Sequence, residues 1–302
     1  RLRQSWPNYS LKRTVQSLRD WSCRLAQALA GDLENGHSMK FWWLLFAVSL
    51  ILPNYCNAVV KRHDIPPEKY LVENAPAFLI DMPHEGHGVL IAPQWIVTVA
   101  HVIFYDYKGK SIKIGGESYK IESVTKHPDY IEPDESLFKG DATRLMAFFA
   151  SRSDIALIKL SSPVSGIAPV KIYQEDNELG QIVSVFGRGA TGNGLIGEDL
   201  GTKPFRQMHS FHNKIDGAKC NWLTYKFDSP PNSLPLEGIH GSGDSGGPSV
   251  IFFEGEPYLV GLSSWQYWQG DLSKFKGGLY GATAYQVRLS AYKDWILGVL
   301  AS

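Results

Sequence analysis

The sequence has no excess of either charge. Its 302 residues carry 30 Lys and Arg against 30 Asp and Glu, which gives a formal net charge of zero. It contains no block of Lys and Arg and no alternation of basic with aromatic residues, so a nucleic acid is not expected as a partner. His, Cys and Asp do not cluster at metal-ligand spacings, so neither a metal nor another cofactor is predicted. The hydrophobic fraction of 44% indicates a folded core rather than a disordered chain.

A long hydrophobic run is also missing. The most apolar stretch covers residues 41–52, and a helix of that length spans only about 18 Å, short of a ~30 Å bilayer core. Lys40 precedes this stretch, and the small residues Cys56 and Ala58 follow it. These features predict a signal peptide at residues 39–58, cut after Ala58, rather than a membrane span or a lipid anchor on Cys56. The mature protein is then expected to be secreted, into the extracellular space or the periplasm, without stable membrane association.

Cysteine is scarce. The chain has three, and two of them, Cys23 and Cys56, precede the predicted cut. The mature protein would keep only Cys220 and could form no internal disulfide. Residues 59–302 are numerous enough to bury a core without one. Residues 1–38 are expected to be an upstream segment outside the mature protein, and the sequence gives no indication of an oligomeric state.

Most of residues 59–302 follow a strand pattern. Apolar residues alternate with polar ones in short runs, and Gly, Pro, Asn and Asp separate the runs. Two such runs surround the turn at residues 254–257, which predicts a hairpin. After Ser290, which is predicted to cap a helix, apolar residues recur at helical spacing. Many short strands with one terminal helix indicate an all-β sandwich or a pair of barrels.

A glycine-rich stretch, residues 240–248, lies between two apolar runs and contains Ser245. A serine hydroxyl becomes an effective nucleophile when a neighbouring base accepts its proton. His101 ends a buried-strand pattern, and an imidazole has a pKa suited to that task. Asp154 precedes another such pattern, where a carboxylate could orient the histidine. Taken singly, His101 is more simply explained as a structural histidine and Asp154 as a strand-entry residue.

In the order His, Asp, Ser, these residues resemble the trypsin/chymotrypsin-like serine proteases. The resemblance rests on VTVAH ending at His101, SDIALIKL containing Asp154, and GDSGGP containing Ser245. It extends over essentially all of residues 59–302. It implies an all-β fold of two packed six-stranded antiparallel β-barrels with a C-terminal helix, and an active site between the barrels.

The resemblance further implies an endopeptidase that hydrolyses polypeptide substrates through an acyl-enzyme. Ser245 would attack the scissile carbonyl, His101 would transfer the proton, and Asp154 would orient His101. The N–H groups of Gly243 and Ser245 would bind the oxyanion. Two other functions stay open: a non-catalytic homologue that binds a partner through the same cleft, and an esterase that uses the same residues.

The residues expected to contact the substrate depart from the family pattern. Members that cleave after Lys or Arg have an aspartate where this chain has Ile239. An apolar residue there would leave a buried substrate cation unpaired, so Lys/Arg specificity is not expected. Ser264 and Trp265 match the strand that pairs with the substrate, but Gln266 replaces a glycine and is expected to narrow the pocket. The alternative is that the loops are displaced and these assignments fail.

The start of the mature chain has a predicted role in activation. In relatives, a new N-terminus inserts and pairs with the aspartate that precedes the catalytic serine, which here is Asp244. Val59 directly follows the predicted cut, so removal of the signal peptide is itself expected to activate the enzyme. The alternative is that a side chain satisfies Asp244 and that Val59 lies on the surface.

Overall fold

The computed structural model describes residues 58–201 and 207–302. The predicted upstream segment, residues 1–38, and the predicted signal peptide apart from Ala58 lie outside the described residues. All described residues belong to one compact unit. Its strands are β1 (Val59–Lys61), β2 (Leu79–Asp81), β3 (His87–Ala92), β4 (Trp95–Thr98), β5 (Ser111–Ile114), β6 (Glu117–Lys126), β7 (Ala156–Leu160), β8 (Lys171–Ile172), β9 (Ile182–Gly187), β10 (Thr191–Asn193), β11 (Gly197–Asp199), β12 (His209–Lys214), β13 (Gly217–Lys219), β14 (Trp222–Lys226), β15 (Gly238–Ile239), β16 (Pro248–Phe253), β17 (Glu256–Gln266) and β18 (Thr283–Arg288).

The first barrel-like sheet contains six strands, in the spatial order β2-β3-β4-β7-β6-β5. All of its pairs are antiparallel. The alternating pattern of the sequence explains its faces: in β5, Ile112 and Ile114 are buried, whereas Ser111 and Lys113 are exposed. This sheet has the strand number and the direction predicted for the first barrel.

The second barrel-like sheet contains eight strands rather than six. Its order is β12-β9-β16-β17-β18-β14-β13, and the short strand β8 pairs in parallel with β17. Strands β16 and β17 form the predicted hairpin, with Glu254 and Gly255 in the turn. The all-β fold with two barrel-like sheets is confirmed.

A third, small sheet fixes the beginning of the described chain. Strand β1 pairs in parallel with β10 and antiparallel with β15, and β11 extends the sheet from β10. All three residues of β1 are buried. The sequence does not predict this sheet, because its strands are too short to show a periodicity.

Two α-helices occur among the described residues, α1 (Thr143–Ala150) and α2 (Lys293–Leu300). Helix α2 is the predicted C-terminal helix, but Ser290 does not cap it. Ser290 lies in the preceding 3₁₀ turn, and its hydroxyl donates a hydrogen bond of 2.6 Å to Glu178. Helix α1 was not predicted, because its buried residues are the adjacent pair Leu145 and Met146. Two adjacent apolar residues do not show a helical periodicity. In the described ranges, neither helix is long and apolar enough to cross a membrane.

Packing holds the two barrel-like sheets together. One hydrophobic cluster contains Ile96 and Leu157 from the first sheet as well as Leu262 and Val287 from the second. A second cluster, around Phe211 and other aromatic residues, fills the interior of the second sheet. The one cysteine among the described residues, Cys220, is exposed and free. The described part of the molecule therefore relies on burial of apolar surface rather than on a disulfide.

Gly246 contacts residues of the first sheet closely, and its replacement tests this packing. A Cβ atom at Gly246 would lie 2.1 Å from the carbonyl oxygen of His87 and 2.6 Å from Oγ1 of Thr98, and φ is +78°. Gly246→Ala is expected to lower the free energy of unfolding by about 3–5 kcal/mol. Gly255→Ala is the matched control, because φ there is +85° but nothing lies within 4 Å; it should cost only about 1–2 kcal/mol. Urea denaturation measures both, and equal losses would contradict the close approach.

Candidate active site

Ser245 lies in the loop between β15 and β16. Two hydrogen-bonded turns shape this loop, from the N–H of Asp244 to the carbonyl of Gly241 and from the N–H of Gly247 to the carbonyl of Asp244. Gly243 and Gly246 have φ angles of +89° and +78°, a region in which glycine is favoured. The glycine-rich stretch is therefore a rigid turn between two strands and not a linker.

Three predicted residues form one hydrogen-bonded chain. Nε2 of His101 lies 2.8 Å from Oγ of Ser245, and Nδ1 of His101 lies 2.7 Å from Oδ2 of Asp154. His101 occupies the 3₁₀ turn that follows β4, and Asp154 lies two residues before β7. Since β4 and β7 are neighbours in the first sheet, their ends bring the histidine and the aspartate together.

The carboxylate of Asp154 is largely buried and accepts two further hydrogen bonds. The backbone N–H of His101 donates to Oδ1 at 2.9 Å, and the hydroxyl of Ser264 donates to Oδ2 at 2.6 Å. Burial alone would raise the pKa of Asp154, but His101 and these hydrogen bonds outweigh it and hold the pKa below its ordinary value. Asp154 is therefore charged at neutral pH.

The same contact sets the protonation of His101. Burial lowers the pKa of His101, but attraction to Asp154 and the hydrogen bond between them raise it by more, so the pKa lies above its ordinary value. The side chain of His101 retains 39% of its exposure, so a substrate can reach its Nε2 atom. Because Asp154 occupies Nδ1, Nε2 is the nitrogen that faces Ser245.

Gly243 and Ser245 line an open cavity of about 400 Å³ in front of Ser245 Oγ. Among the described residues, no acceptor receives a hydrogen bond from the N–H group of either residue. Two free N–H groups next to a nucleophilic oxygen suit an acceptor that develops negative charge. The arrangement is chemically capable of binding an oxyanion.

Asp244 is fully buried beneath this loop. Its carboxylate accepts hydrogen bonds from the N–H groups of Gly189 at 2.6 Å and Gly241 at 2.8 Å, and Nε2 of His87 lies 4.0 Å away. Burial is the main cause that raises the pKa of Asp244 to about 6, and the contacts with His87 and the two N–H groups oppose it. Among the described residues, main-chain N–H groups rather than a side chain donate the hydrogen bonds that this carboxylate accepts.

Val59 lies inside the protein and not on the surface. It is fully buried in β1, where it pairs with Thr191 of β10. Lys61, two residues further on, is also buried, and its ammonium group lies 3.3 Å from the carbonyl oxygen of Ala58. Burial lowers the pKa of Lys61 to about 7, although attraction to Asp244 opposes the shift. Lys61, the last residue of β1, therefore lies within electrostatic reach of Asp244.

The four residues predicted to contact the substrate occupy different environments. Ile239 is fully buried in the second cluster and pairs with Val60 in the small sheet. It lines neither the cavity in front of Ser245 nor the apolar cavity beside His101. Ser264 is bound to Asp154, so its hydroxyl supports the aspartate. Ser264, Trp265 and Gln266 all line the 400 Å³ cavity. The expected pocket floor at Ile239 is thus not part of the described cavity surface.

Several residues of the cleft were missed by the sequence analysis. An apolar cavity of about 270 Å³ lies beside His101 and Asp154. Its walls include Phe148 and Phe149 of α1 together with Trp222 of β14. The larger cavity also includes Glu198 of β11. No sequence motif marks these residues, because they reach the cleft from elements distant in the chain. In the described ranges, no group of three or more His, Cys, Asp or Glu residues is placed to hold a metal ion.

The comparisons with known proteins agree with this geometry. A family model described as Trypsin matches residues 81–296. The chain belongs to the trypsin family. It is 27% identical over 233 residues to vitamin K-dependent protein C of Rattus norvegicus, which covers 69% of this chain and 44% of that protein. It is also 27% identical over 265 residues to trypsin of Phaedon cochleariae, which covers 76% of this chain and 88% of that protein. The chain thus spans less than half the length of the first relative and most of the second.

The titration of His101 tests the electrostatics of this trypsin-family site. Histidine NMR should give a pKa for His101 above the ordinary value of about 6.5. Asp154→Asn should lower it, because the imidazolium loses its carboxylate partner. Asp129→Asn is the control: that carboxylate lies 3.9 Å from His127, so its removal should leave His101 unchanged. A wild-type His101 that titrates at or below about 6.5 would contradict the structure.

Proposed function

We propose that the protein is a secreted serine endopeptidase with His101, Asp154 and Ser245 as its catalytic triad. The observation that carries this proposal is the hydrogen-bonded chain from Asp154 through His101 to Ser245, at 2.7 Å and 2.8 Å, at the edge of an open cavity. Membership of the trypsin family supports the same activity. The role proposed for each of these three residues follows from its position in the hydrogen-bonded chain.

The reaction proceeds in two acyl-transfer steps. Ser245 Oγ forms a bond to the scissile carbonyl carbon while its proton passes to Nε2 of His101. The N–H groups of Gly243 and Ser245 bind the oxyanion of the tetrahedral intermediate. The carbon–nitrogen bond then breaks, and His101 returns the proton to the leaving amine. Water, activated by His101, hydrolyses the remaining ester and restores Ser245.

Asp154 acts on His101 throughout the reaction. Its contact with Nδ1 keeps Nε2 directed at Ser245, and its charge stabilises the imidazolium that forms during each proton transfer. The bond from Ser264 and the bond from the His101 backbone fix the carboxylate in place. Specificity for Lys or Arg is not proposed, because the position that carries the cation-binding aspartate in Lys- or Arg-specific members is Ile239 here, and Ile239 does not line the cavity in front of Ser245.

Secretion is proposed to supply the activating cut. The Ala58–Val59 bond is almost fully buried, and β1 is paired along both edges, so a protease acting on the folded protein could not reach it. A signal peptidase acts before folding and avoids this obstacle. Val59 pairs with Thr191, two residues from the Gly189 N–H that binds Asp244. That short separation along the chain would let the new α-amino group approach Asp244.

Replacement of the nucleophile tests the proposed activity. Ser245→Ala should abolish peptide hydrolysis and covalent labelling by a fluorophosphonate probe, because no other group can form the acyl-enzyme. The purified secreted protein is incubated with the probe, and the modified peptide is identified by mass spectrometry. The Ser242→Ala variant should still be labelled, because the hydroxyl of the wild-type Ser242 lies 2.7 Å from Glu198 and not near His101.

The outcome separates the alternatives. Labelling at Ser242, or persistence of labelling in Ser245→Ala, would refute the assignment. An unlabelled wild-type protein would favour a non-catalytic binding module. Labelling together with hydrolysis of small esters but of no peptide would favour an esterase.

A second experiment tests the activation proposal. Protein that begins at Val59 is compared with protein that carries extra residues before it and is otherwise identical. The extended form should turn over substrate much more slowly, because it lacks the free α-amino group that would pair with Asp244. Asp244→Asn in the form that begins at Val59 should produce a similar loss. Equal turnover of the two forms would rule the proposal out.

A further inference from the structure

The side chain of Gln266 crosses the space next to the nucleophile. Gln266 ends strand β17 and is 9% exposed. Its Nε2 atom donates a hydrogen bond of 2.6 Å to the carbonyl oxygen of His240, in the segment that leads to Ser245. Its Oε1 atom accepts a hydrogen bond of 2.9 Å from the N–H of Gly278, in the loop that follows β17. One side chain thus joins the two segments on either side of its strand.

Glu198 covers this arrangement from the outside. Its Oε2 atom accepts hydrogen bonds from the hydroxyl of Ser242 at 2.7 Å and from the Ser242 N–H at 3.3 Å, and its Oε1 atom lies 3.4 Å from Nε2 of Gln266. The backbone N–H of Glu198 donates to the carbonyl of Gly277 at 2.8 Å. A Cβ atom at Gly277 would lie 2.2 Å from Glu198 Oε1, so glycine is required for the carboxylate to lie this close.

The cavity therefore ends at Gln266 and does not extend to Ile239. Gln266, Glu198 and Ser242 line the cavity in front of Ser245, whereas the fully buried Ile239 does not. A large substrate side chain could enter deeper only by displacing the Gln266 carboxamide. That displacement would leave the buried carbonyl of His240 and the N–H of Gly278 without partners, which is unfavourable.

We propose that Gln266 closes the pocket for the substrate side chain that precedes the scissile bond, and that the enzyme cleaves after glycine, alanine and serine rather than after large residues. This inference rests on the proposed peptidase function. Gln266 is a specificity-determining residue in this arrangement, and Glu198 restrains it from the solvent side. Glu198 is assigned this restraining role rather than that of a receptor for a basic side chain, because its Oε2 atom is bound to Ser242 and its Oε1 atom lies 3.4 Å from Nε2 of Gln266.

The test uses peptides that differ only at the residue before the scissile bond: Gly, Ala, Leu, Phe or Arg. For the wild-type secreted protein, kcat/KM should be at least about tenfold higher for Ala than for Leu, Phe or Arg. Gln266→Gly opens the pocket, so the ratio of Phe to Ala should rise by about tenfold or more. Gln266→Ala, which retains a Cβ atom, should shift the ratio in the same direction. Gln174→Gly makes the same change at an exposed position outside the cleft and should keep the wild-type profile.

Four results would overturn the inference. The first is a wild-type protein that cleaves after Leu or Phe as fast as after Ala; this result needs no variant to fold. The second is an unchanged profile in both Gln266 variants. The third is wild-type cleavage after Arg that disappears in Glu198→Ala, since Glu198 would then select the substrate. The fourth is a protein that neither hydrolyses a peptide nor labels at Ser245, in which case the proposed function fails as well. A labelled protein with a different profile overturns this inference alone.

Discussion

The buried carboxylate of Asp154 is the constraint on which the arrangement of this molecule depends. An unpaired carboxylate in that position would cost several kcal/mol, and its partners come from both barrel-like sheets. His101 follows β4 in the first sheet, and Ser264 belongs to β17 in the second. Satisfying one charge therefore fixes the position of the two sheets relative to the histidine. The same charge raises the pKa of His101 and directs Nε2 towards Ser245.

A second buried carboxylate, Asp244, shapes the loop that contains Ser245. It binds main-chain N–H groups from two segments, at Gly189 and Gly241. A Cβ atom at Gly189 would lie 2.8 Å from Asp244 Oδ1, so this contact needs a glycine. The two carboxylates bind different parts of the site: Asp154 binds His101, and Asp244 binds the loop that contains Ser245 and the two free N–H groups.

Elements outside the barrel-like sheets contribute to the walls of the cleft. Helix α1 contributes Phe148 and Phe149 to the apolar cavity beside His101, and β11 contributes Glu198 to the cavity in front of Ser245. Strand β17 of the second sheet contributes Trp265 and Gln266 to the same cavity, so the cleft combines residues of the sheets with residues of α1 and β11. A family match over residues 81–296 accordingly identifies the type of site more closely than its preferred substrate.

The sequence alone determined the fold class, the hairpin after β16, the C-terminal helix and the three side chains that meet at the site. It could do so because period-two apolar runs encode strands locally and because GDSGGP is a short, specific motif around Ser245. The tertiary structure decided which residues distant in sequence contact each other. Whether Ile239 or Gln266 lines the cavity, whether Val59 is buried, and how Glu198 reaches Ser242 all depend on contacts between residues distant in sequence. No local pattern specifies such contacts, because packing and hydrogen bonding between separate elements create them.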